Sequence, residues 1–311
     1  MELRDYEAFV AVAEELHFGR AAARLHISQP PLSNRIRQLE HDLKLQLFNR
    51  NTRTVSLTDA GERLLGPARR VLNEADAAQN VAASIATGEQ GRVRIGFAGA
   101  SSQRSLPLLT RAVRSEYPGV ELVLQSQTYV FTALELLLSR SLDLAFARLP
   151  IPHPDLAWRV VEVEELVCAL PAGHPLTVRT GIRLEDLHDE DFVSLPDDHG
   201  SILQSTMYSL CVTAGFRPRV VQIAPDSSTV LALVAAGAGV TITLSSVCPV
   251  QTVGIAYRPL EKIRPSHMFA TLVWRKTDPS PALQRVLDVS RVALPTPDLS
   301  RYKIKETNVG P

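Results

Sequence analysis

"LHISQPPLSNRIRQLEHDL" occupies residues 25–43, and its adjacent prolines decide how the amino-terminal part of the chain folds. Proline in a helix interior costs about 3 kcal/mol or more, because it removes an N–H and clashes with the preceding turn. In the first turn of a helix those N–H groups have no intrahelical partner, so proline is tolerated there. With Ser28 as N-cap, Gln29, Pro30 and Pro31 fill that turn and start a helix rather than break one. At about 100° per residue, Leu32, Ile36, Leu39 and Leu43 share one stripe. Pro30, Ser33, Asn34, Arg37 and Gln38 lie opposite, and Arg35 flanks the stripe.

Upstream, Leu3, Tyr6, Phe9, Val10, Ala13 and Leu16 recur at helical spacing. Gly19 then punctuates the chain, and a short helix over 20–26 follows with Ala21, Ala22 and Leu25. Downstream, "NRNTRTVSL" (49–57) is polar, basic and β-branched, which suits a two-stranded wing. Between residues 20 and 58 stand seven basic residues against two acidic ones, an excess of +5 in a chain with 33 of each sign. An isolated amphipathic helix also has one polar face. A short helix, a turn, a polar-faced helix and a basic wing in succession instead describe a winged helix-turn-helix set in a DNA major groove. Arg offers a fork matching a guanine edge or a phosphate, Asn and Gln match adenine, and Ser suits a phosphate. Arg50 and Arg53 would grip phosphates or enter a minor groove.

Residues 59–87 change character. Thr58 and Asp59 favour a helix start, and Leu64, Leu65, Ala68, Val71, Leu72, Ala75, Ala78, Ala82 and Ile85 then repeat at helical spacing. A long helix with a narrow, alanine-rich stripe predicts pairing with a second copy, and Gly66-Pro67 predicts an early kink. Residues 88–91 read as a hinge. From residue 92, strands at "RVRIGFAG", "VELVLQS" and "LDLAFARL" alternate with helices over 103–117 and 130–140, the pattern of a parallel sheet with crossover helices. Further strands at 164–170, 191–195, 219–224, 239–244 and 269–274, and helices at 200–214, 227–237 and 281–293, complete an α/β domain over 92–294. Its lobes are expected at about 92–162 with 266–294, and at about 163–265. "PAGHPL" (171–176) reads as the entry to the second lobe, and 295–311 as a flexible tail.

In such a domain ligands lie beyond the carboxyl ends of the strands. Ser101 and Ser102 follow the first strand, Thr128 the second and Arg148 the third; hydroxyls, helix-start N–H groups and one Arg together suit a carboxylate. Ser194, Pro196, Ile202 and the turn "DSST" (226–229) are their counterparts in the second lobe. Each residue also has a plainer reading: the serines as caps, Thr128 as a turn residue, Arg148 as one half of an ion pair.

Several classes are disfavoured. Cys168, Cys211 and Cys248 are far apart and read as free thiols of a reducing cytosol. No run nears the ~18 apolar residues that span a bilayer, and no secretory segment opens the chain, so the expected location is cytoplasmic. GxSxG, GxxxxGK[ST] and HExxH are absent. "LVAAGAGV" (233–240) reads as close helix–strand packing, "DDHG" (197–200) as a solvated loop, and His17, His26 and His41 as packed or phosphate-facing residues. No enzyme, metal or cofactor is expected.

Residues 2–65 carry the ordered pattern "F..VAEE.HF.RAA..L.ISQPPLS..I..LE..L...LF.R..R.V.LT.AG" and resemble the amino-terminal domain of LysR-type transcriptional regulators. "RVRIGF", "LDLAFARLP" and "LVAAGAGV" resemble that family's effector domain, so the likeness extends over about residues 1–294. It implies a winged helix-turn-helix, a dimerising linker helix and a two-lobed, periplasmic-binding-protein-like α/β domain. It also implies a homodimer or homotetramer that binds promoter DNA, answers to a small anionic effector and contacts RNA polymerase. The DNA-reading positions it implies are Gln29, Pro30, Ser33, Asn34, Arg37, Arg50 and Arg53, and it places the strand-end residues in the effector cleft. Asn34 departs from the basic residue or Gln common there, which puts the operator preference of relatives in doubt for this chain. The segments around "RIGF" and "ARLP" resemble the branch controlling aromatic-compound catabolism, although "FARLP" departs slightly from its pattern. The rival readings are a small-molecule-binding protein or enzyme with a helical interaction module, and an architectural DNA-binding protein without a ligand.

Overall fold

The computed structural model describes residues 2–50, 55–87, 91–197, 200–248 and 253–302. It divides into a helical amino-terminal unit and an α/β carboxyl-terminal unit.

The helical unit opens with α1 (Leu3–Glu15), α2 (Phe18–Arg24) and α3 (Gln29–Leu43). Phe9, Leu32, Ile36 and Leu39 are fully buried between them. Leu3 and Leu16, expected on the apolar face of α1, are exposed, because they sit at its ends beyond the reach of the core. Helix α2 begins two residues before the expected Arg20, because His17 serves as its N-cap and accepts from the Arg20 N–H at 3.1 Å. Strand β1 (Phe48–Arg50) places Phe48 5.5 Å from Phe9 and 6.1 Å from Phe18, ring centre to ring centre. It pairs antiparallel with β2 (Val55–Leu57), forming the wing. Glu40 of α3 fixes the chain entering the wing by accepting from the N–H groups of Leu47 (2.9 Å) and Phe48 (3.2 Å).

Ser28 occupies the N-cap position of α3 in extended conformation, yet its side chain makes no capping bond. The reason lies in the prolines. An N-cap side chain accepts from the second or third N–H of its helix, and those positions are Pro30 and Pro31, which have none. Their fixed φ starts the helix instead, and the Ser28 hydroxyl is left at the exposed surface.

Helix α4 (Asp59–Thr87) follows, with Thr58 accepting from the Gly61 N–H at 3.1 Å. Gly61 is required for a close approach: a Cβ there would lie 2.3 Å from the Leu47 carbonyl oxygen. Ala68 is buried against the helical core, flanked by half-buried Leu64, Leu65 and Leu72. The 29-residue helix continues unbroken through Pro67, which shows proline tolerated where packing holds the chain.

In the α/β unit β3 (Gly91–Gly96), α5 (Ser105–Glu116), β4 (Val120–Gln125), α6 (Val130–Leu138) and β5 (Leu144–Arg148) form the expected alternation. Strand β3 runs parallel to both β4 and β5. Gly91, assigned to the hinge from sequence, is the first residue of β3 and pairs with Val120; the rest of the hinge, 88–90, lies outside the described residues. Strand β6 (Leu156–Pro171) is longer than expected and changes partners midway. Its first half pairs with β11 (His267–Arg275). Its second half pairs with β9 (Thr241–Leu244) and β10 (Ile255–Pro259), the latter absent from the sequence reading. The chain therefore enters the second lobe inside one continuous strand near Glu164, and "PAGHPL" lies beyond that entry. The second lobe also contains β7 (Asp191–Ser194), α7 (Ile202–Thr213), β8 (Arg219–Ile223) and α8 (Ser227–Ala235), with β7 and β8 parallel. Helix α9 (Pro281–Ala293) returns to pack beside α5 and β3 in the first lobe.

The expected flexible tail needs correction over 295–302. Leu299 packs on the core of the first lobe, and Tyr302 stands edge-on to His267 (5.1 Å) and Phe269 (5.4 Å). Arg159 donates to the Leu294 carbonyl (2.6 Å) and to the Thr296 hydroxyl (3.3 Å), fixing the start of this segment. Apolar and aromatic residues spaced along a polar stretch are enough to dock it. Residues 303–311 lie outside the described residues.

Two predictions follow from local geometry. Ser280 caps α9 through the Leu283 N–H (3.3 Å), so Ser280→Ala should cost about 1 kcal/mol. Ser28→Ala should cost less than about half of that, because the cap bond does not exist; equilibrium urea unfolding of the two variants measures the contrast. Burial raises all three thiols, Cys248 among them, pushing Cys211 up to about 11 and Cys168 further, and only Cys248 is half-exposed. Raised values mean less thiolate at pH 8, so iodoacetamide should label half-exposed Cys248 first and reach the other two only on unfolding, as mass spectrometry of timed samples will show.

Candidate nucleic-acid interface and effector cavity

The basic excess read from residues 20–58 is partly spent within the helical unit. Arg20 pairs with Glu15 (3.2 Å), Arg24 with Glu14 (2.7 Å) and Arg35 with Asp5 (3.2 Å). All three acids stand on α1, upstream of the basic stretch over 20–58. Gln38 is likewise turned along its own helix, donating to Asp42 at 2.7 Å. What remains is selective. Gln29, Pro30, Asn34 and Arg37 are exposed, and Ser33 is half-buried. Among the described residues Gln29, Asn34 and Arg37 have no hydrogen-bond or ion-pair partner. The arginines that stabilise the domain are thus distinct from the one that α3 presents outward. Arg53 and the side chain of Arg50 lie outside the described residues.

In the α/β unit a cavity of about 490 Å³, open solvent included, lies between the lobes. Thr128, Arg148 and Ile202 line it. Ser194 lines a smaller adjoining cavity, which shares Thr243 and Ser227 with the first. Ser102 is buried outside the lining of either cavity and Pro196 is half-buried away from both, so neither meets the expectation. Chain direction explains this: the short 3-10 turn at Gly99–Ser102 carries Ser102 past the mouth of the cleft, and Pro196 lies one residue beyond Leu195, which does line it. The side chain of Ser101 and residues Asp198 and His199 of "DDHG" lie outside the described residues.

Hydrogen-bond accounting separates usable donors from committed ones. The single proton of the Thr128 hydroxyl is directed at the carbonyls of Gln125 (3.1 Å) and Ser126 (3.3 Å), and that of Ser194 at the Leu195 carbonyl (3.0 Å). Neither is free to donate to an anion. Ser201, overlooked in the sequence, lines the cavity as N-cap of α7. Its oxygen accepts from the Gln204 N–H at 3.3 Å, which leaves its proton available. Thr243, on a strand with no polar motif to mark it, also lines both cavities. The signal for Ser201 was its place as a serine N-cap at the start of α7, in the connection that follows β7.

Arg148 forms an ion pair, the plainer of its two readings, with an acid that is buried rather than on the surface. Its Nε and one terminal nitrogen both reach Glu164 Oε2, at 2.9 and 2.6 Å. The other oxygen of Glu164 accepts from the Ser246 hydroxyl. Glu164 is fully buried. Burying a charge is costly unless it is paired and hydrogen-bonded, and each partner here satisfies the other.

Among the described residues no group of three His, Cys, Asp or Glu side chains is placed to hold a metal ion, and no helix is long and apolar enough to cross a membrane.

Comparison with known proteins agrees with this architecture. The family described as bacterial regulatory helix-turn-helix protein, lysR family, matches residues 3–62, and the LysR substrate binding domain matches 86–294. The HTH-type transcriptional regulator AlsR of Bacillus subtilis (strain 168) is 36% identical over 310 residues, covering 100% of both chains. The regulator ShiR of Corynebacterium glutamicum (strain R) is 43% identical over 244 residues, 78% of this chain and 82% of its own. The crystal structure of full-length CbnR complexed with its target DNA superposes with a TM-score of 0.72 at 29% identity, covering 94% of this chain and 100% of that one. The chain belongs to the LysR family of transcriptional regulators, in which a winged helix-turn-helix binds DNA and a two-lobed domain receives the effector, and it is not an enzyme.

Proposed function

We propose that this regulator reads its promoter through Gln29, Pro30, Ser33, Asn34 and Arg37 on α3, with Arg50 and Arg53 of the wing on the DNA backbone. The observation that carries this reading is the partition of side chains on α3: Arg35 and Gln38 are tied down within the fold, while Gln29, Asn34 and Arg37 stand exposed with no partner among the described residues. Ser28, released from capping, adds a hydroxyl at the helix start suited to a phosphate. The stripe of Ala75 and Ala78 on α4 pairs with a second copy, and paired dimers form a homotetramer. The protein acts in the cytoplasm, where it meets RNA polymerase at the promoter.

We further propose that the effector is a small carboxylate with an apolar, preferably aromatic, body. The apolar wall, with the rings of Phe146 and Tyr129, supports the body. The starts of α6 and α7 open on the cavity through Val130 and Ile202, and a helix start attracts negative charge. Ser201 and Thr243, rather than Thr128, supply hydroxyl contacts. The effector acts by favouring one arrangement of the lobes, and thereby one shape of the assembly on DNA.

Arg37→Ala should weaken operator binding by about 1–3 kcal/mol and relax selection at one base pair. Fluorescence anisotropy against a set of single-base operator variants reads both effects; an equal loss on every sequence would make Arg37 a phosphate contact instead. In wild type, affinity should fall steeply and linearly on a log–log plot against salt. For the effector, Ser201→Ala and Thr243→Val should each lower carboxylate affinity about 5- to 10-fold, as expected for one hydrogen bond, while Thr128→Val should change it less. Calorimetric titration with benzoate tests the order, and unchanged DNA affinity of the unliganded variants separates ligand contact from misfolding.

A further inference from the structure

Arg148 is the only charged residue lining the larger cavity among the described residues. Were it free, the cavity would carry one full positive charge in addition to its helix starts. It is not free, because Glu164 lies behind it, fully buried, and takes two of its N–H donors. Ser246 fixes Glu164 from the second lobe, so the acid cannot swing away without losing a hydrogen bond. The pair therefore adds no net formal charge to the cavity. The starts of α6 and α7 have neutral residues in their first turns, and each contributes a partial positive charge of about +0.5. The start of α8 contributes nothing comparable, because the Asp226 carboxylate caps it through the N–H groups of Ser228 and Thr229, both at 2.9 Å. The starts of α6 and α7 together amount to about +1, and the full negative charge of Asp226 offsets part of it.

We infer that Glu164 sets the charge of the effector: by holding Arg148 as its own counter-ion it restricts the cavity to ligands bearing a single carboxylate. This rests on the reading of the cavity as a carboxylate site. A monocarboxylate is balanced by the helix starts and the hydroxyls of Ser201 and Thr243. A second carboxylate in the cavity would find only the third nitrogen of Arg148 left to meet it, and the guanidinium would then serve two acids with one charge. Glu164 touches no ligand itself; it determines specificity through Arg148.

The test is calorimetric titration of the full-length chain with chain-matched probes: benzoate against benzene-1,4-dicarboxylate, and pentanoate against pentanedioate. Wild type should favour the monoacid of each pair at least about 10-fold, the cost of one unbalanced charge. Glu164→Gln keeps the shape and a donor–acceptor group but frees the charge of Arg148. It should tighten diacid binding about 10-fold or more and narrow or reverse the preference. Glu164→Met, which frees Arg148 with an apolar side chain, should do the same, and circular dichroism confirms that each variant is folded. Diacids binding wild type as tightly as monoacids overturn the proposal, as does an unchanged ratio in folded variants. If the variants do not fold, the wild-type preference alone decides between these outcomes. Failure of the underlying reading looks different: benzamide and pentanamide would then bind as well as the acids, or none of the probes would bind.

Discussion

A fully buried carboxylate at the crossing between two lobes constrains the effector half of this regulator. Glu164 stands on β6 where that strand leaves one set of partners for another: Met268 is its neighbour across the ladder, and Leu166 already pairs with Leu244 of the second lobe. An isolated ionised carboxylate at such a place is not sustainable. The fold answers with Arg148 from the end of β5 in the first lobe and Ser246 from the second. A buried pair of this kind contributes little net stability relative to an apolar replacement, but removing one partner is expensive. Its value lies in specifying position, since Arg148, Glu164 and Ser246 meet only when β5, β6 and the segment after β9 are in register.

The helical half solves a different problem, that of presenting polar groups outward while holding a small core together. Its device is division of labour among arginines. Arg20, Arg24 and Arg35 are consumed by acids of α1, which costs the surface three cations but ties three helices together. Exposed ion pairs are individually weak, so the tie is chiefly one of orientation, and the fully buried Phe9, Leu32, Ile36 and Leu39 provide the cohesion. The prolines complete the device. By starting α3 without a side-chain cap they leave Ser28, Gln29 and the first helical turn facing solvent, where a polyanion can use them.

Much of this was legible in the sequence, and the exceptions share a cause. The helix-turn-helix, the wing and the alternation of β3 to β5 follow from local periodicity and turn chemistry, which a linear reading captures. The length of β6 was missed because its two halves answer to different partners, and periodicity cannot show a strand changing sheets. Strand β10 escaped for a related reason: "IAYRP" alternates weakly and is half-buried. In the cavity, residue type at strand ends located Thr128, Arg148 and Ile202, but not how their hydrogen bonds are spent. The commitment of Thr128 to Gln125 and of Arg148 to Glu164 depends on side-chain direction and on residues far along the chain. The docked segment 295–302 was read as loose because its composition is polar, while its apolar anchors, Leu299 and Tyr302, are widely spaced.

These non-local contacts gather at one place, and that bears on how a ligand is read out. The chain joins the lobes only by β6 and by the segment leading into β11, and the two run side by side at the crossing. Tyr302 packs there on His267 and Phe269, two residues of β11. The lobes therefore share a stiff, doubly stranded junction stapled by the segment that follows α9. A stiff junction does not forbid rotation; it restricts rotation to a few well-packed arrangements, because interiors repack between discrete states rather than deform continuously. Arg148 lines the cavity and grips Glu164 at that junction, so under the proposed reading a ligand that alters the environment of Arg148 would act close to the fulcrum. A small displacement there would become a larger one at the far edges of the lobes, which is the lever an effector weighing far less than the protein requires.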